Sequence, residues 1–209
     1  LLAADNSITT MGVMRSRGDQ QLFKINGSPV FAASQLAEKL PLQLINAETF
    51  SLLDGGPKVR RQFLDWGVFH VEPDFLPRWR RIQKALKHRN SLLRRGRIQQ
   101  GEIAPWEAEL VACAEAVDTM RQRYVRLLLP HFLRALGDLV ELDNPSIEYR
   151  RGWADNTSLE QALLKDAERD LQQGSTHSGP HRADLEIRID GKAADDVLSR
   201  GQEKLLVCA

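Results

Sequence analysis

The spacing of hydrophobic and polar positions changes twice along the 209 residues of this chain. In the first stretch, a segment of roughly alternating character ends at Asn26-Gly27. Asn-Gly between two extended segments is typical of a two-residue hairpin turn, because both positions tolerate a positive φ. The pattern then predicts a short helix over residues 31–40 and a short apolar strand over residues 42–45.

Helical spacing dominates the middle of the chain. Apolar residues recur there at three- and four-residue steps over about ninety residues, which is the period of an amphipathic helix. Pro57 is suited to a first helical position, and Pro73 predicts the end of that helix. A third helix is predicted to open at Pro105 and to kink or end at Pro130. Long helices with short connections indicate an antiparallel helical arm.

The strand pattern returns after residue 144. We predict a strand over residues 147–151 and a helix opened by a capping box of Thr157 and Glu160. Further on, apolar and charged residues alternate up to Asp190-Gly191, which predicts a second hairpin.

The order of strands, helices and strands favours an α/β domain with an inserted all-α helical arm. The corresponding divisions are residues 1–46, 47–144 and 145–209. Hydrophobic residues at 42% and charged residues at 27% are ordinary for a globular protein. No apolar run approaches the roughly 18 residues of a membrane span. The two cysteines exclude a disulfide scaffold, and a cytoplasmic location is expected.

The formal net charge of +1 conceals a strong asymmetry. One segment, residues 78–97, contains nine basic residues and no acidic ones. The other 20 basic residues face 28 acidic residues, a net charge of −8. A basic segment on an acidic body is a candidate footprint for nucleic acid.

The helical period places several cations of this segment on a polar face, where they could contact DNA phosphates. The candidate DNA-binding residues are Arg80, Arg81, Lys84, Lys87 and Arg94, with Arg60 and Arg61 as a possible extension. No base-reading motif is present, so contacts would be with the DNA backbone and independent of sequence. The alternative is a solvated helix face balanced by acids of a neighbouring helix, for which Glu102, Glu107 and Glu109 are available.

Near the end of the chain, Ser199 and Gln202 have the spacing of a second capping box. A hydroxyl, free amides and the flexible Gly201 at a helix N-terminus suit a phosphate group, and Arg200 adds positive charge. An ordinary capped helix has the same pattern, so spacing alone leaves both interpretations open.

The segment Leu198–Gln202 resembles the signature motif of ABC-type ATPases, whose common form is Leu-Ser-Gly-Gly-Gln. Four further stretches narrow the resemblance to the RecF family of bacterial recombination and replication-repair ATPases. These are Leu42–Phe50, Leu52–Trp66, Lys87–Asn90 and Thr176–Leu185, and the motif itself continues to Leu205.

The resemblance implies a parent protein that binds ATP and Mg²⁺ and dimerises with ATP held between two subunits. In that arrangement Ser199, Arg200, Gly201 and Gln202 contribute to the site of ATP bound by the opposing subunit. The family also implies DNA binding at single-strand gaps and action with RecO and RecR in the cytoplasm.

The sequence lacks parts that such an ATPase requires. No Gly-x-x-x-x-Gly-Lys-Ser/Thr loop occurs, and the acidic pair expected after the signature helix is absent. We therefore expect this chain to be an internal fragment that does not hydrolyse ATP alone. The alternatives are another SMC-like repair ATPase and a stand-alone helical module that binds DNA or protein.

Three residues outside the signature are candidates for the nucleotide interface. Glu48 lies where the resemblance places a nucleotide-sensing loop, although the family's Pro-Glu is Ala47-Glu48 here; a helix N-terminal acid is the alternative. His181 and Arg182 lie in a polar loop that the resemblance assigns to the head. Arg182 could contact phosphate or pair with Asp184. No metal site is expected.

Overall fold

The fold is described from a computed structural model, covering residues 8–15, 21–96 and 100–209. The chain divides into two compact units, Leu1–Leu44 and Ile45–Ala209. The division into 1–46, 47–144 and 145–209 stays a prediction. No helix in these described ranges has the length and apolar character needed to cross a membrane.

The first unit is a small antiparallel sheet of strands β1 (Met11–Arg15), β2 (Gln21–Ile25) and β3 (Ser28–Val30), followed by helix α1 (Ala33–Ala37). Asn26 and Gly27 form the β2–β3 turn with φ values of 50° and 80°. This confirms the first predicted hairpin. The predicted strand at residues 42–45 is wrong, because the segment pairs with neither described sheet and its leucines are exposed.

The second unit begins with four helices: α2 (Ser51–Asp54), α3 (Pro57–Val71), α4 (Phe75–Arg95) and α5 (Gln100–Leu139). The start of α3 at Pro57 and its end before Pro73 are as predicted. Helix α4 ends at Gly96, whose φ of 70° gives the left-handed C-cap that glycine accommodates best. Helices α4 and α5 pack side by side over much of the length of α4.

Helix α5 corrects the predicted start at Pro105 and excludes an end at Pro130, whereas the predicted kink at Pro130 stays a prediction. It begins at Gln100 rather than at Pro105, and it continues through Pro130 to Leu139. Each proline removes one backbone hydrogen bond. Burial of Phe132 and Leu136 beyond Pro130 holds the helix on a second core cluster, which offsets that loss.

The remaining elements form a second sheet and its flanking helices. The strands are β4 (Pro145–Arg150), β5 (Asp184–Ile189) and β6 (Lys192–Ala193), antiparallel in the order β4-β5-β6. The helices are α6 (Leu159–Lys165), α7 (Ala167–Gln173), α8 (Ala194–Val197) and α9 (Arg200–Cys208). The predicted hairpin at Asp190-Gly191 is confirmed, with φ values of 48° and 76°.

The N-cap of α6 is Ser158, one residue after the predicted Thr157. The Ser158 hydroxyl accepts a hydrogen bond from the amide of Gln161, and the Gln161 side chain accepts one from the amide of Ser158. Thr157 lies one residue before the cap, and its hydroxyl donates to the carbonyl oxygen of Ala154. The capping box is therefore real but displaced by one position.

Two clusters of buried side chains form the core of this unit. The first lies among α3, α4, α5 and α6 and includes Leu64, Ile82, Leu110 and Leu159, each fully buried. The second joins α2, the end of α5, strand β5 and α9. Because α5 contributes to both clusters, it ties the helical region to the second sheet and to α9.

Candidate functional site

The N-terminus of α9 is exposed and capped as the sequence predicts. The Ser199 hydroxyl accepts a hydrogen bond from the Gln202 amide at 3.4 Å, and the Gln202 side chain accepts one from the Ser199 amide at 3.0 Å. The amides of Arg200 and Gly201 precede the capped one and point away from the helix. A Cβ at Gly201 would approach only the Ser199 hydroxyl, at 4.0 Å, so space lies open above this turn.

Acidic side chains surround the charge of Arg200. Its Nη1 lies 2.8 Å from Glu203 Oε2 and 3.8 Å from Asp54 Oδ2. The Arg200 side chain is nevertheless 77% exposed, so it can exchange these partners for another anion. The structure thus brings the four signature residues together on one open helix turn.

The loop between α7 and β5 is anchored by two residues of α4. Arg89 is 1% exposed, and its guanidinium donates to Asp170 Oδ2 at 2.7 Å and to the Thr176 hydroxyl at 2.8 Å. Its Nε donates to Glu107 at 2.9 Å. Asn90 Oδ1 accepts hydrogen bonds from both the amide and the hydroxyl of Thr176. Two of the sequence stretches that resemble the RecF family, 87–90 and 176–185, therefore contact each other.

Two carboxylates, one in α7 and one at the junction of α6 and α7, fix the next part of this loop. The buried Asp170 accepts from the His177 amide at 3.0 Å and lies 2.7 Å from His177 Nδ1. Asp166 accepts from the Ser178 hydroxyl at 2.6 Å. Gly179 then donates its amide to the carbonyl oxygen of Gly152, and a Cβ on Gly152 would lie 2.3 Å from the Gly179 oxygen. This close backbone approach requires glycine at position 152.

His181 and Arg182 occupy different environments within the loop. The pKa of His181 falls to about 4 because burial disfavours the charged imidazolium. Neutral His181 lies with Nε2 3.0 Å from the Thr176 carbonyl oxygen. Arg182 is exposed, with one nitrogen 3.4 Å from the same oxygen.

Asp184 pairs with Arg60. The sequence alone offers Arg182 as its partner, and the structure does not show that pair. The Arg60 guanidinium donates two hydrogen bonds of 2.9 Å to the two oxygens of Asp184. Burial raises the pKa of Asp184, but hydrogen bonds from Arg60 and the Leu185 amide outweigh it and leave the pKa low. Arg61 donates to the Ala183 carbonyl oxygen at 2.6 Å. Arg60 and Arg61 thus contact strand β5 and the residue before it, and both side chains are half-buried.

The other candidate cations lie along α4. Arg80, Arg81, Lys84, Lys87 and Arg94 are exposed, and Arg97 lies outside the described residues. Arg81 forms a two-point ion pair with Glu109 of α5. Lys84 lies 5.9 Å from the centroid of the Trp106 ring. Neighbouring acids therefore pair with Arg81 and Arg89, and Arg78 pairs with Asp74 at the N-cap of its own helix.

Two findings complete the survey of candidates. The Glu48 side chain lies outside the described part of the structure, although its backbone forms a 3-10 turn. Among the described residues, no group of three or more His, Cys, Asp or Glu side chains could hold a metal ion.

Sequence reasoning missed Arg121, which is fully buried between Asp65 and the Pro180 carbonyl oxygen. No local spacing marks it, because its partners lie 56 and 59 residues away.

The curated relatives to which this chain is similar carry one and the same protein name. The chain is 49% identical over 205 residues to the DNA replication and repair protein RecF of Pseudomonas putida and 51% identical over 205 residues to that of Azotobacter vinelandii. The alignments cover 98% of this chain and 56% of each relative, so the chain spans somewhat over half the length of the curated relatives it matches. No protein-family model matches.

Solved structures agree on the fold. The recombination mediator protein RecF of the RecFOR pathway, solved with ATP, matches with a TM-score of 0.87 at 21% identity, over 99% of this chain and 58% of that one. The same protein described as RecF-ATPrS matches with a TM-score of 0.84. The fold is therefore part of an α/β ABC-type ATPase head with a helical arm. Within that class, the chain belongs to the RecF family.

Proposed function

We propose that this chain supplies the ATP contact in trans of a RecF-type ATPase. The observation that carries the proposal is the open, capped N-terminus of α9 at Ser199. The amides of Arg200 and Gly201 would donate to the γ-phosphate of ATP held by an opposing subunit. The Ser199 hydroxyl donates to Gln202 Oε1 at 2.9 Å in this structure and would give up that bond to donate to the phosphate, while the Gln202 side chain still accepts from the Ser199 amide. The helix dipole favours an anion at this position.

Such a contact makes ATP a switch for assembly. ATP bound by one subunit gains the α9 contacts only when a second subunit is present, so ATP stabilises the dimer over the monomer. Mg²⁺ and the phosphate-cradling loop would come from segments that these 209 residues do not contain. Hydrolysis therefore requires those segments, and the chain alone is expected to be inactive.

The test uses a chimera in which this sequence replaces the matching part of the Pseudomonas putida relative. Ser199→Arg places a bulky cation where the phosphate would lie, and ATP-dependent dimerisation measured by sedimentation should be lost. Ser158→Arg is the matched control, because Ser158 caps α6 with the same geometry. Both substitutions remove a cap worth about 1 kcal/mol. If both variants dimerise with ATP like the parent, the proposal for Ser199 is wrong.

We further propose that the exposed face of α4 binds DNA through its phosphates. The supporting observation is that Arg80, Lys84, Lys87 and Arg94 remain exposed on one helix, even though Arg89 is buried. Such contacts are independent of sequence and weaken steeply with salt. This suits the expected role at single-strand gaps together with RecO and RecR.

The salt dependence of DNA binding tests this surface. Lys84→Gln with Lys87→Gln should reduce the slope of log K against log salt by about 1.8 if each lysine contacts one duplex phosphate. Lys165→Gln with Arg169→Gln removes the same charge from exposed positions of α6 and α7 and should leave the slope almost unchanged. Equal slopes for both double variants would place DNA binding elsewhere.

The loop between α7 and β5 would lie beside the nucleotide interface, together with Glu48. In this proposal Arg182 offers the positive charge, since it is exposed. His181 is neutral at physiological pH because burial keeps its pKa low, so it would contribute shape and not charge.

A further inference from the structure

An apolar groove runs along α5 on the side away from the ion pair of Arg81 and Glu109. Its volume is about 890 Å³, and it is lined by the first half of α5 and by helices α6 and α7, with Arg89 and Leu93 of α4. The α5 wall includes Ala104, Ala108 and Ala112 at four-residue steps, together with the apolar Ile103 and Val111. The opposite wall includes Leu164 and Leu171, which are 72% and 41% exposed.

Exposed apolar side chains in a continuous groove are costly to leave in water, and they commonly mark a docking surface. Here the walls are helices, so there is no free strand edge to pair with a peptide backbone. Alanines at four-residue steps present a shallow surface that another helix can approach closely. The geometry therefore suits a helix laid into a groove, with apolar residues repeating at three and four positions.

The charge at the rim defines the flanks of that helix. Three glutamates line the groove, namely Glu107, Glu115 and Glu160, against one basic residue, Arg89. Arg89 is already paired with Glu107 and Asp170. Glu115 and Glu160 are exposed and form no ion pair within the described residues. The rim is therefore acidic and complements lysine or arginine.

We propose that this groove binds an amphipathic helix of a partner protein, with an apolar ridge and basic flanks. A second copy of the chain is a poorer fit. Its strongly basic amphipathic helix is α4, whose apolar side is already buried against α5 in its own core. The partner helix would place basic residues beside Glu115 and Glu160 and apolar residues against Leu164. This surface is separate from the exposed cations of α4 proposed to bind DNA.

A synthetic peptide probes the groove directly. The probe is an acetylated and amidated helix of about 20 residues, long enough to be helical in isolation, with leucines at helical spacing and lysines on both flanks. A second peptide carries glutamate in place of each lysine. Binding to the full-length chimera described above is measured by fluorescence anisotropy, and the lysine peptide should bind more tightly.

Two sets of variants locate the binding site. Leu164→Lys should weaken binding of the lysine peptide about tenfold or more, because an apolar contact is lost and a repulsive charge is added. Leu127→Lys is the matched control, since Leu127 is 61% exposed on α5 but does not line the groove. Glu115→Lys with Glu160→Lys should weaken the lysine peptide about three- to tenfold and strengthen the glutamate peptide. Asp138→Lys with Glu141→Lys should change neither.

Several results would overturn the proposal. It is wrong if the chimera binds neither peptide. In that case the groove is either empty or covered by another part of the RecF chain. It is equally wrong if both peptides bind alike, or if Leu127→Lys weakens binding as much as Leu164→Lys. Concentration-dependent dimerisation without ATP that Leu164→Lys abolishes would assign the groove to a second copy of the chain. Circular dichroism of each variant confirms that it is folded.

Discussion

Arg89 and Arg81 lie eight residues apart on α4, yet replacing each by methionine should have very different consequences. Arg89 is 1% exposed and donates to Asp170, which is itself fully buried, as well as to Glu107 and Thr176. Arg89→Met leaves the Asp170 carboxylate buried without its main cationic partner. Breaking a buried pair in this way costs about 3–5 kcal/mol of the free energy of unfolding.

Arg81 provides the matched comparison. Its side chain is 56% exposed, and its ion pair with Glu109 lies at the surface. Surface ion pairs contribute about 0–1 kcal/mol, so Arg81→Met should cost no more than that. Both variants lose one positive charge from the same helix, so a difference between them reports on burial and not on net charge.

Urea unfolding followed by tryptophan fluorescence measures both effects. The double variant Arg89→Met with Asp170→Asn removes the unpaired charge and should recover about 2 kcal/mol or more relative to the sum of the single variants. If Arg89→Met costs less than about 1 kcal/mol, or the same as Arg81→Met, the buried network does not stabilise the loop between α7 and β5 as we infer.

Two further predictions concern stability. The pKa of His181 is lowered to about 4 in the folded chain, so the folded state binds fewer protons than the unfolded state between pH 4 and 6.5. The free energy of unfolding is therefore highest above the ordinary histidine pKa of about 6.5. It should fall by about 3 kcal/mol as the pH is lowered towards 4. His181→Gln should flatten this part of the stability–pH curve, and an unchanged curve would show that another group causes the loss. Gly67→Ala should destabilise the chain by about 1–3 kcal/mol, because the new Cβ would lie 2.1 Å from the Tyr124 hydroxyl. Gly137→Ala, in open space on α5, should instead stabilise it by about 0.5–1 kcal/mol, because alanine favours the helix more than glycine does. Thermal unfolding of the two variants measures the difference, and equal midpoints would contradict the close packing of Tyr124.

Local sequence signals predicted local structure well. Asn26-Gly27 and Asp190-Gly191 form the expected turns, and Ser199 and Gln202 form the expected capping box. Each of these depends on interactions within four residues, where the identity of the residues limits the backbone directly. The α6 cap is Ser158 and not the predicted Thr157. Both residues carry a hydroxyl, so the sequence locates the helix start only to within one residue.

Features that depend on partners distant in sequence were predicted less well. The segment 42–45 has the composition of a strand, but a strand exists only if another strand pairs with it. Pro130 should have kinked or ended α5 on local grounds, but the helix continues to Leu139, with Phe132 and Leu136 buried beyond the proline. In both cases a contact that is remote in sequence outweighed the local preference.

The sequence by itself therefore determined the order of the elements, their main turns and caps, the asymmetry of charge and the resemblance to the RecF family. The helical period placed Arg80, Arg81, Lys84, Lys87 and Arg94 on the polar face, and all five are exposed. Only the tertiary structure decided which acids pair with the cations of residues 78–97. Arg89 has the same charge as its neighbours, but it is buried against Asp170, which lies 81 residues further along the chain. This pairing depends on the packing of α4 against α7. Spacing within α4 indicates that Arg89 lies on the buried face, but it does not indicate which acid Arg89 contacts.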